Sequence, residues 1–366
     1  MNFDYKARQA RLIGITGADA VAIVPGPNMV YYTGLHFHLS ERPTIALFTD
    51  GEGLSFIIPE LEIPKLAARP DLGARFFPWT DEAGFAGAFQ EAARHLRLKN
   101  ATVAVDGQAM RVFEYLAMQA AGIQTMKDAG HDLLRIRAIK TEPEVAAMRE
   151  AVHLSEQALH RLMQWVKPGM TERDIAAELS RVLREAGSQA EAFAGLVQTG
   201  PNSALPHGMV SERVLADDEY LLIDFGGMIH GYPADITRTF CLGTPTAQMQ
   251  KIYDTVLAAN QAAIAIAGPG VACGDVDKAA RDVIANAGYG EYFIHRTGHG
   301  LGLAGHELPQ IAGGVEDVLE PGMVFTVEPG IYIEGLGGVR IEDNIHVTEN
   351  GVEVLTHFPR TLAVPE

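Results

Sequence analysis

Four acidic residues stand inside apolar, strand-like stretches where a carboxylate without a partner is costly to desolvate. Asp224 lies in Leu221-Leu222-Ile223-Asp224-Phe225, which runs into Gly226-Gly227, and Asp235 opens the return, Ala234-Asp235-Ile236-Thr237-Arg238-Thr239-Phe240. Apolar and β-branched residues alternate with polar ones in both runs, the pattern of a hairpin on which the two acids can face each other. Glu328 closes Met323-Val324-Phe325-Thr326-Val327-Glu328, and Glu342 sits in Val339-Arg340-Ile341-Glu342-Asp343-Asn344-Ile345, beyond Pro329-Gly330 and Gly337-Gly338. Between the hairpins, His295, His299 and His306 stand among glycines that permit close backbone approach, so one of them can complete a site. Taken singly, an acid such as Asp224 is equally well explained by a salt bridge or an edge strand. Taken together, four carboxylates need positive charge, and two divalent cations supply it. A hard, oxygen-rich set with one imidazole suits manganese, cobalt, iron or zinc.

These residues carry a resemblance. From about Ile139 onward the sequence resembles the pita-bread metallopeptidases, which include prolidase, aminopeptidase P and methionine aminopeptidase, with the metal-free creatinase as a relative. The resemblance places five metal ligands on Asp224, Asp235, His299, Glu328 and Glu342, and further active-site histidines on His207, His295 and His306. It also assigns an arginine, Arg340, two positions before the last ligand. The implied cofactor is a pair of divalent ions, Mn2+ first, with Co2+, Zn2+ or Fe2+ as alternatives. The implied reaction is hydrolysis of the bond between an N-terminal residue and proline by a metal-bridged hydroxide, with the cations stabilising the tetrahedral oxyanion. By resemblance Glu328 is ligand and general base, His306 and His207 stabilise the oxyanion or hold the substrate, and His295 lines the pocket. Arg340 orients a ligand carboxylate, pairs with the substrate's C-terminal carboxylate, or forms a structural ion pair.

A separate N-terminal domain points away from methionine aminopeptidase and leaves Xaa-Pro dipeptidase and aminopeptidase P. They differ in whether residues beyond the proline are tolerated. The polar stretch with His36, His38 and Arg42 is the candidate for measuring substrate length, reaching a neighbouring subunit's site in the homodimer that family members commonly form. Two readings from other classes stay open: a pita-bread hydrolase or lyase acting on a non-peptide small molecule, and a non-catalytic binding module. The intact ligand set disfavours the second. Gly300-Leu301-Gly302-Leu303-Ala304-Gly305 fits the G-x-G-x-x-G pattern, but His306 and Pro309 follow where a dinucleotide site needs a helix.

The elements that must position these groups can be read around them. Pro168-Gly169, Asp174-Ile175 and Ala186-Gly187 recur as Pro269-Gly270, Asp275-Val276 and Ala287-Gly288, a constant offset of 101 residues. Two helix-rich halves, each leading to a two-carboxylate hairpin, predict pseudo-twofold symmetry with the site between them. Ahead of the repeat, Thr141-Glu142-Pro143-Glu144 is a capping box that starts a long helix. The expected architecture is an α/β N-terminal domain over residues 1–135 followed by an α+β pita-bread catalytic domain over 139–366. In the first, a helix over 3–15, a strand over 20–24, strands over 44–48 and 54–58 about Asp50-Gly51-Glu52-Gly53, and a helix over 109–121 are expected.

Composition narrows the partners. The 366 residues carry a net charge of −17, which repels nucleic acid and anionic membrane and favours a peptide or other small molecule. No early apolar run has the charged flank and cleavage site of a signal peptide, and none approaches the ~20 residues of a membrane span, so a soluble, cytoplasmic protein is expected. The two cysteines, Cys241 and Cys273, have no metal-ligand spacing and read as buried thiols.

Overall fold

Asp4 decides where the first helix begins: its Oδ1 accepts the Ala7 N–H at 2.9 Å, so α1 runs Tyr5–Thr16, and Gly17 at φ 56° ends it. The structure, a computed structural model, describes residues 3–364 and parts into two compact units between Arg137 and Ala138. In the first unit six strands form one mixed sheet. β1 (Ala20–Ile23) lies beside β2 (Ile45–Thr49), which turns through Gly51 into β3 (Gly53–Pro59), both pairings being antiparallel. β4 (Arg75–Trp79), β5 (Thr102–Val105) and β6 (Thr125–Asp128) add parallel edges, giving the order β4-β3-β2-β1-β5-β6. Helices α2 (Pro27–Thr33), α3 (Ile63–Ala67), α4 (Ala86–His95) and α5 (Val112–Ala120) connect the strands, and α6 (Gly130–Ala138) follows the last of them. α5 starts later than its apolar pattern suggests because Glu114 accepts the Arg111 N–H at 3.1 Å. In the stretch 35–43, His36 and His38 are exposed, while Arg42 donates to both oxygens of Asp81, at 2.9 and 2.7 Å, and to Glu41 at 2.8 Å.

The second unit is two helix pairs and their strands. α7 (Glu142–Trp165) begins where Glu144 accepts the Thr141 N–H at 2.9 Å, and it buries Val145, Met148, Val152, Leu159 and Leu162 along one stripe. α8 (Glu172–Glu185) follows, then β7 (Leu196–Thr199), β8 (Tyr220–Phe225), a short ribbon of β9 (Met228–Ile229) and β10 (Tyr232–Pro233), and β11 (Ile236–Cys241). The second half repeats the order with α9 (Ala247–Ile266) and α10 (Cys273–Asn286). Both ends of α10 lie 101 residues after those of α8, at 273 against 172 and 286 against 185. Its strands are β12 (Gly298–Gly300), β13 (Glu307–Ile311), β14 (Val324–Val327), β15 (Gly330–Ile333), β16 (Gly337–Arg340), β17 (Asp343–Thr348) and β18 (Gly351–Val354). The sheets are β11-β8-β7 and β13-β12-β14-β17-β18, so each half contributes a helix pair and an antiparallel sheet related by pseudo-twofold symmetry. A fully buried ion pair joins them. Arg238 on β11 donates to Asp343 on β17 at 2.8 Å, and Asn260 and Arg360 satisfy the other carboxylate oxygen at 2.9 and 2.8 Å.

The last hairpin differs from a simple strand pair. Its register runs unbroken from Val324↔His346 to Ile333↔Gly337, yet it splits into β14–β17 and a separate β15–β16 ribbon. Pro329 has no N–H to donate, and the backbone N–H groups on either side of the gap turn elsewhere. Glu328 donates to the carbonyl of Thr297 at 2.7 Å and Glu342 to that of Thr237 at 3.1 Å. The gap therefore ties the two acids to the strand that leads to His299 and to the strand that follows Asp235.

Candidate metal centre and active site

Asp224, Asp235, Glu328, Glu342, His207, His295, His299, His306 and Arg340 all line one cavity of about 510 Å³, together with Ala192, Phe193, Pro206, Arg296 and Gly305. That size is within the range of small-ligand sites, roughly 300–1,000 Å³. The first hairpin does not set Asp224 opposite Asp235. Asp224 pairs with Thr237, and Asp235 lies just before β11, where Asn344 Oδ1 accepts its N–H at 3.2 Å. The β9–β10 ribbon supplies the extra chain that lets the two carboxylates converge from different backbone levels. His299 sits on β12, where a Cβ at Gly298 would lie 1.8 Å from the Thr326 carbonyl oxygen and one at Gly300 2.0 Å from that of Leu308. Only glycine at both positions allows strands to close so tightly about the imidazole.

The residues fit a pair of divalent cations on the chemistry of their donor atoms. His299 gives its Nδ1–H to the Gly300 carbonyl at 3.1 Å, which leaves Nε2 as a bare lone pair. That lone pair faces Glu328 Oε1 at 3.3 Å and Asp235 Oδ2 at 3.6 Å. Burial, and then the His306 ring beside it, push the imidazole down to about 3, so a proton does not relieve this contact near neutrality. Three acceptors pointing at one space suit a cation. Ligand atoms of Asp235, His299 and Glu342 also lie within 4.8 Å of one another, and Asp224 Oδ1 is buried without a hydrogen-bond partner. Burial drives the carboxyls of Asp235 and Glu342 well above the usual range, and neighbouring carboxylates push them further. Glu328 is raised to about 7 by burial, which Arg340 opposes and Asp224 reinforces.

Arg340 is spent on the protein. Its Nη2 binds Asp224, Nη1 donates to the Tyr332 hydroxyl at 2.9 Å and Nε to Thr237 Oγ1 at 3.0 Å. Thr237 in turn donates to Glu342 at 2.6 Å, so one guanidinium orients carboxylates of both halves. Burial disfavours its charge, but Tyr332, Asp224, Glu328 and Glu342 outweigh that and hold it well above the usual arginine range. His295 is likewise committed: Nδ1 donates to the Arg296 carbonyl at 2.7 Å and Nε2 accepts from Tyr332 at 2.8 Å. The His306 ring lies against that of His299, centroids 4.0 Å apart and planes tilted by 48°, and His207 is on an exposed loop.

Three contributors escape a reading of the sequence. Tyr332 bears no local signal. Thr237 can be found by alternation, since two residues along a strand from Asp235 share its face. Arg296 stands between His295 and His299 and lines the cavity, and its guanidinium makes no hydrogen bond or ion pair among the described residues.

Residues 146–349 match the model of metallopeptidase family M24, and residues 8–139 match the creatinase/prolidase N-terminal domain. The chain belongs to metallopeptidase family M24. An uncharacterized peptidase of Staphylococcus haemolyticus is 36% identical over 343 residues, 94% of this chain and 96% of that protein. Among solved structures, a prolidase from Thermococcus sibiricus is similar with a TM-score of 0.93 at 31% identity, covering 99% of this chain and 100% of that one. An Xaa-Pro dipeptidase from Bacillus anthracis gives 0.90 at 31% identity over 98% and 99%. The M24 unit is thus the α+β pita-bread fold, behind an α/β N-terminal domain. No helix among the described residues is long and apolar enough to cross a membrane.

Proposed function

We propose that this M24 peptidase hydrolyses Xaa-Pro dipeptides, using two divalent cations held by Asp224, Asp235, His299, Glu328 and Glu342, with Mn2+ the first choice. The observation that carries the reading is the His299 lone pair facing the carboxylates of Asp235 and Glu328 at the base of the cavity. The prolidase and Xaa-Pro dipeptidase among its structural relatives support the substrate class. When bound, such cations lower the pKa of water and polarise a carbonyl. The protein's groups do the rest. Glu328, which lines the cavity, takes a proton and delivers it to the proline nitrogen, which has no hydrogen of its own and leaves poorly without one. His306 and His207 donate to the substrate's carbonyl oxygen, and the fixed ring of His295 forms a wall.

Arg296 supplies the length rule in this reading. Arg42 is answered by Asp81 and Glu41 and Arg340 by Asp224, whereas Arg296 lines the cavity with no hydrogen bond or ion pair to its guanidinium among the described residues. A free proline carboxylate is its natural partner. Arg296→Gln should raise KM for an Xaa-Pro dipeptide roughly 10- to 100-fold, the value of a hydrogen bond to a charged group, and change KM for the Xaa-Pro amide little. An equal response of acid and amide would remove Arg296 from this role and favour an aminopeptidase tolerant of longer peptides.

The assignment as a whole is tested with Mn2+-loaded protein offered Xaa-Pro, Xaa-Ala and creatine. Hydrolysis of Xaa-Pro alone or foremost is expected, and creatine turnover without peptide turnover would overturn it. The histidines separate by a second measurement. His299→Ala should lose bound metal and activity together, while His306→Ala should keep its metal and lose about 10²- to 10³-fold in kcat. Equal metal loss in both variants would contradict the division.

A further inference from the structure

Among the described residues, His207 is the one site histidine whose ring makes no hydrogen bond, ion pair or ring contact; His306 also lacks a hydrogen bond but lies against the His299 ring. Its place over the cavity therefore depends on its loop. That loop, residues 200–211, has an exposed tip: Leu205 is 57% and Met209 86% exposed, and His207 between them is exposed as well. Its base is the opposite. Glu172, fully buried on the first turn of α8, accepts five hydrogen bonds there. Oε1 takes the Thr199 N–H at 2.8 Å, the Thr199 hydroxyl at 3.0 Å and Asn202 Nδ2 at 3.0 Å. Oε2 takes the Ser211 N–H at 2.9 Å and its hydroxyl at 2.6 Å. One oxygen thus holds the entry of the loop and the other its exit.

We propose that Glu172 is a positioning residue for His207, a single buried carboxylate that closes both ends of the loop and fixes where the imidazole stands. This rests on the peptidase reading, in which His207 meets the substrate. Glutamine cannot replace it. Whichever way the amide of Glu172→Gln turns, its NH2 faces donors, either those of Ser211 or those of Thr199 and Asn202, and one end of the loop is released.

The test is a cycle in the full-length, Mn2+-loaded protein with an Xaa-Pro dipeptide. Glu172→Gln should lower kcat by about 10²-fold, the typical cost of an ångström of misplacement, with metal content unchanged. Added to His207→Ala it should change kcat by less than about two-fold, because both act through one group. Ser211→Ala, at a half-buried position, removes the hydroxyl bond at the exit and keeps the backbone one, so it should show the same coupling at smaller size and serves if the first variant fails to fold. Independent multiplication of the effects would overturn the proposal. A second arm needs no substrate: amide hydrogen exchange over 200–211 should quicken in both variants while 293–299 stays as in the parent, and unchanged exchange over 200–211 would overturn it. If the parent hydrolyses no peptide, the function fails, and this arm still decides whether Glu172 holds the loop.

Discussion

Glu328→Gln should lower the turnover of an Xaa-Pro dipeptide by about 10²- to 10⁴-fold, the usual contribution of a general acid–base group. The amide keeps the shape of the side chain and the hydrogen bond at 3.0 Å in which Thr326 Oγ1 donates to Oε1. It removes the two properties the chemistry draws on: a charge shared with Asp235 beside His299, and a carboxylate that can take up and pass on a proton. Metal content separates the two roles: a variant that binds its full complement yet turns over slowly has lost the proton carrier, and one that binds neither ion fully has lost a ligand first. Turnover above a tenth of the parent's would exclude Glu328 from both.

Stripping the metal should invert the protein's response to pH. Without cations, Glu328 keeps its proton to about 7, and Asp235 and Glu342 are held well above the carboxylate range. In the unfolded chain these groups ionise near 4. Between those limits the folded state binds more protons than the unfolded one, so stability falls as pH rises, by up to about 1.4 kcal/mol per pH unit for each retained proton. Chelated protein should therefore melt higher at pH 5 than at pH 8. Reloaded protein should show the reverse, because ligands must be deprotonated to hold metal and metal stabilises only the folded state. A chelated sample whose melting temperature rises from pH 5 to pH 8 would mean that these three carboxyls are not desolvated together.

The sequence makes the acids legible because each stands where strand alternation leaves no ordinary use for it, and the repeat legible because Pro-Gly and Ala-Gly punctuate both helix pairs at the same spacing. Boundaries move where a side chain caps the backbone, as Asp4 and Glu114 do, since one hydrogen bond outweighs an apolar residue or two at a helix end. What stays hidden is long-range partnership. Thr141-Glu142-Pro143-Glu144 announces its own cap, but Thr171-Glu172 looks just like another helix start, and nothing local says that Glu172 reaches 39 residues on to Ser211. Tyr332 is equally silent, because its hydroxyl matters only through His295 and Arg340. The interrupted hairpin is half legible: Pro329 marks the gap, while the carbonyls of Thr297 and Thr237 that exploit it come from elsewhere in the chain.

That gap also bears on the order in which the molecule assembles. β14–β17 and β15–β16 can zip from their turns using contacts close in sequence, but Glu328 and Glu342 find their backbone partners only after the strands holding Thr297 and Thr237 arrive. Thr237 lies more than 100 residues before Glu342, and loop closure on that scale is a slow step. Until it happens each half holds two of the four carboxylates, and the first half is without His299. If these residues hold the metal as proposed, its capture waits on the two halves coming together.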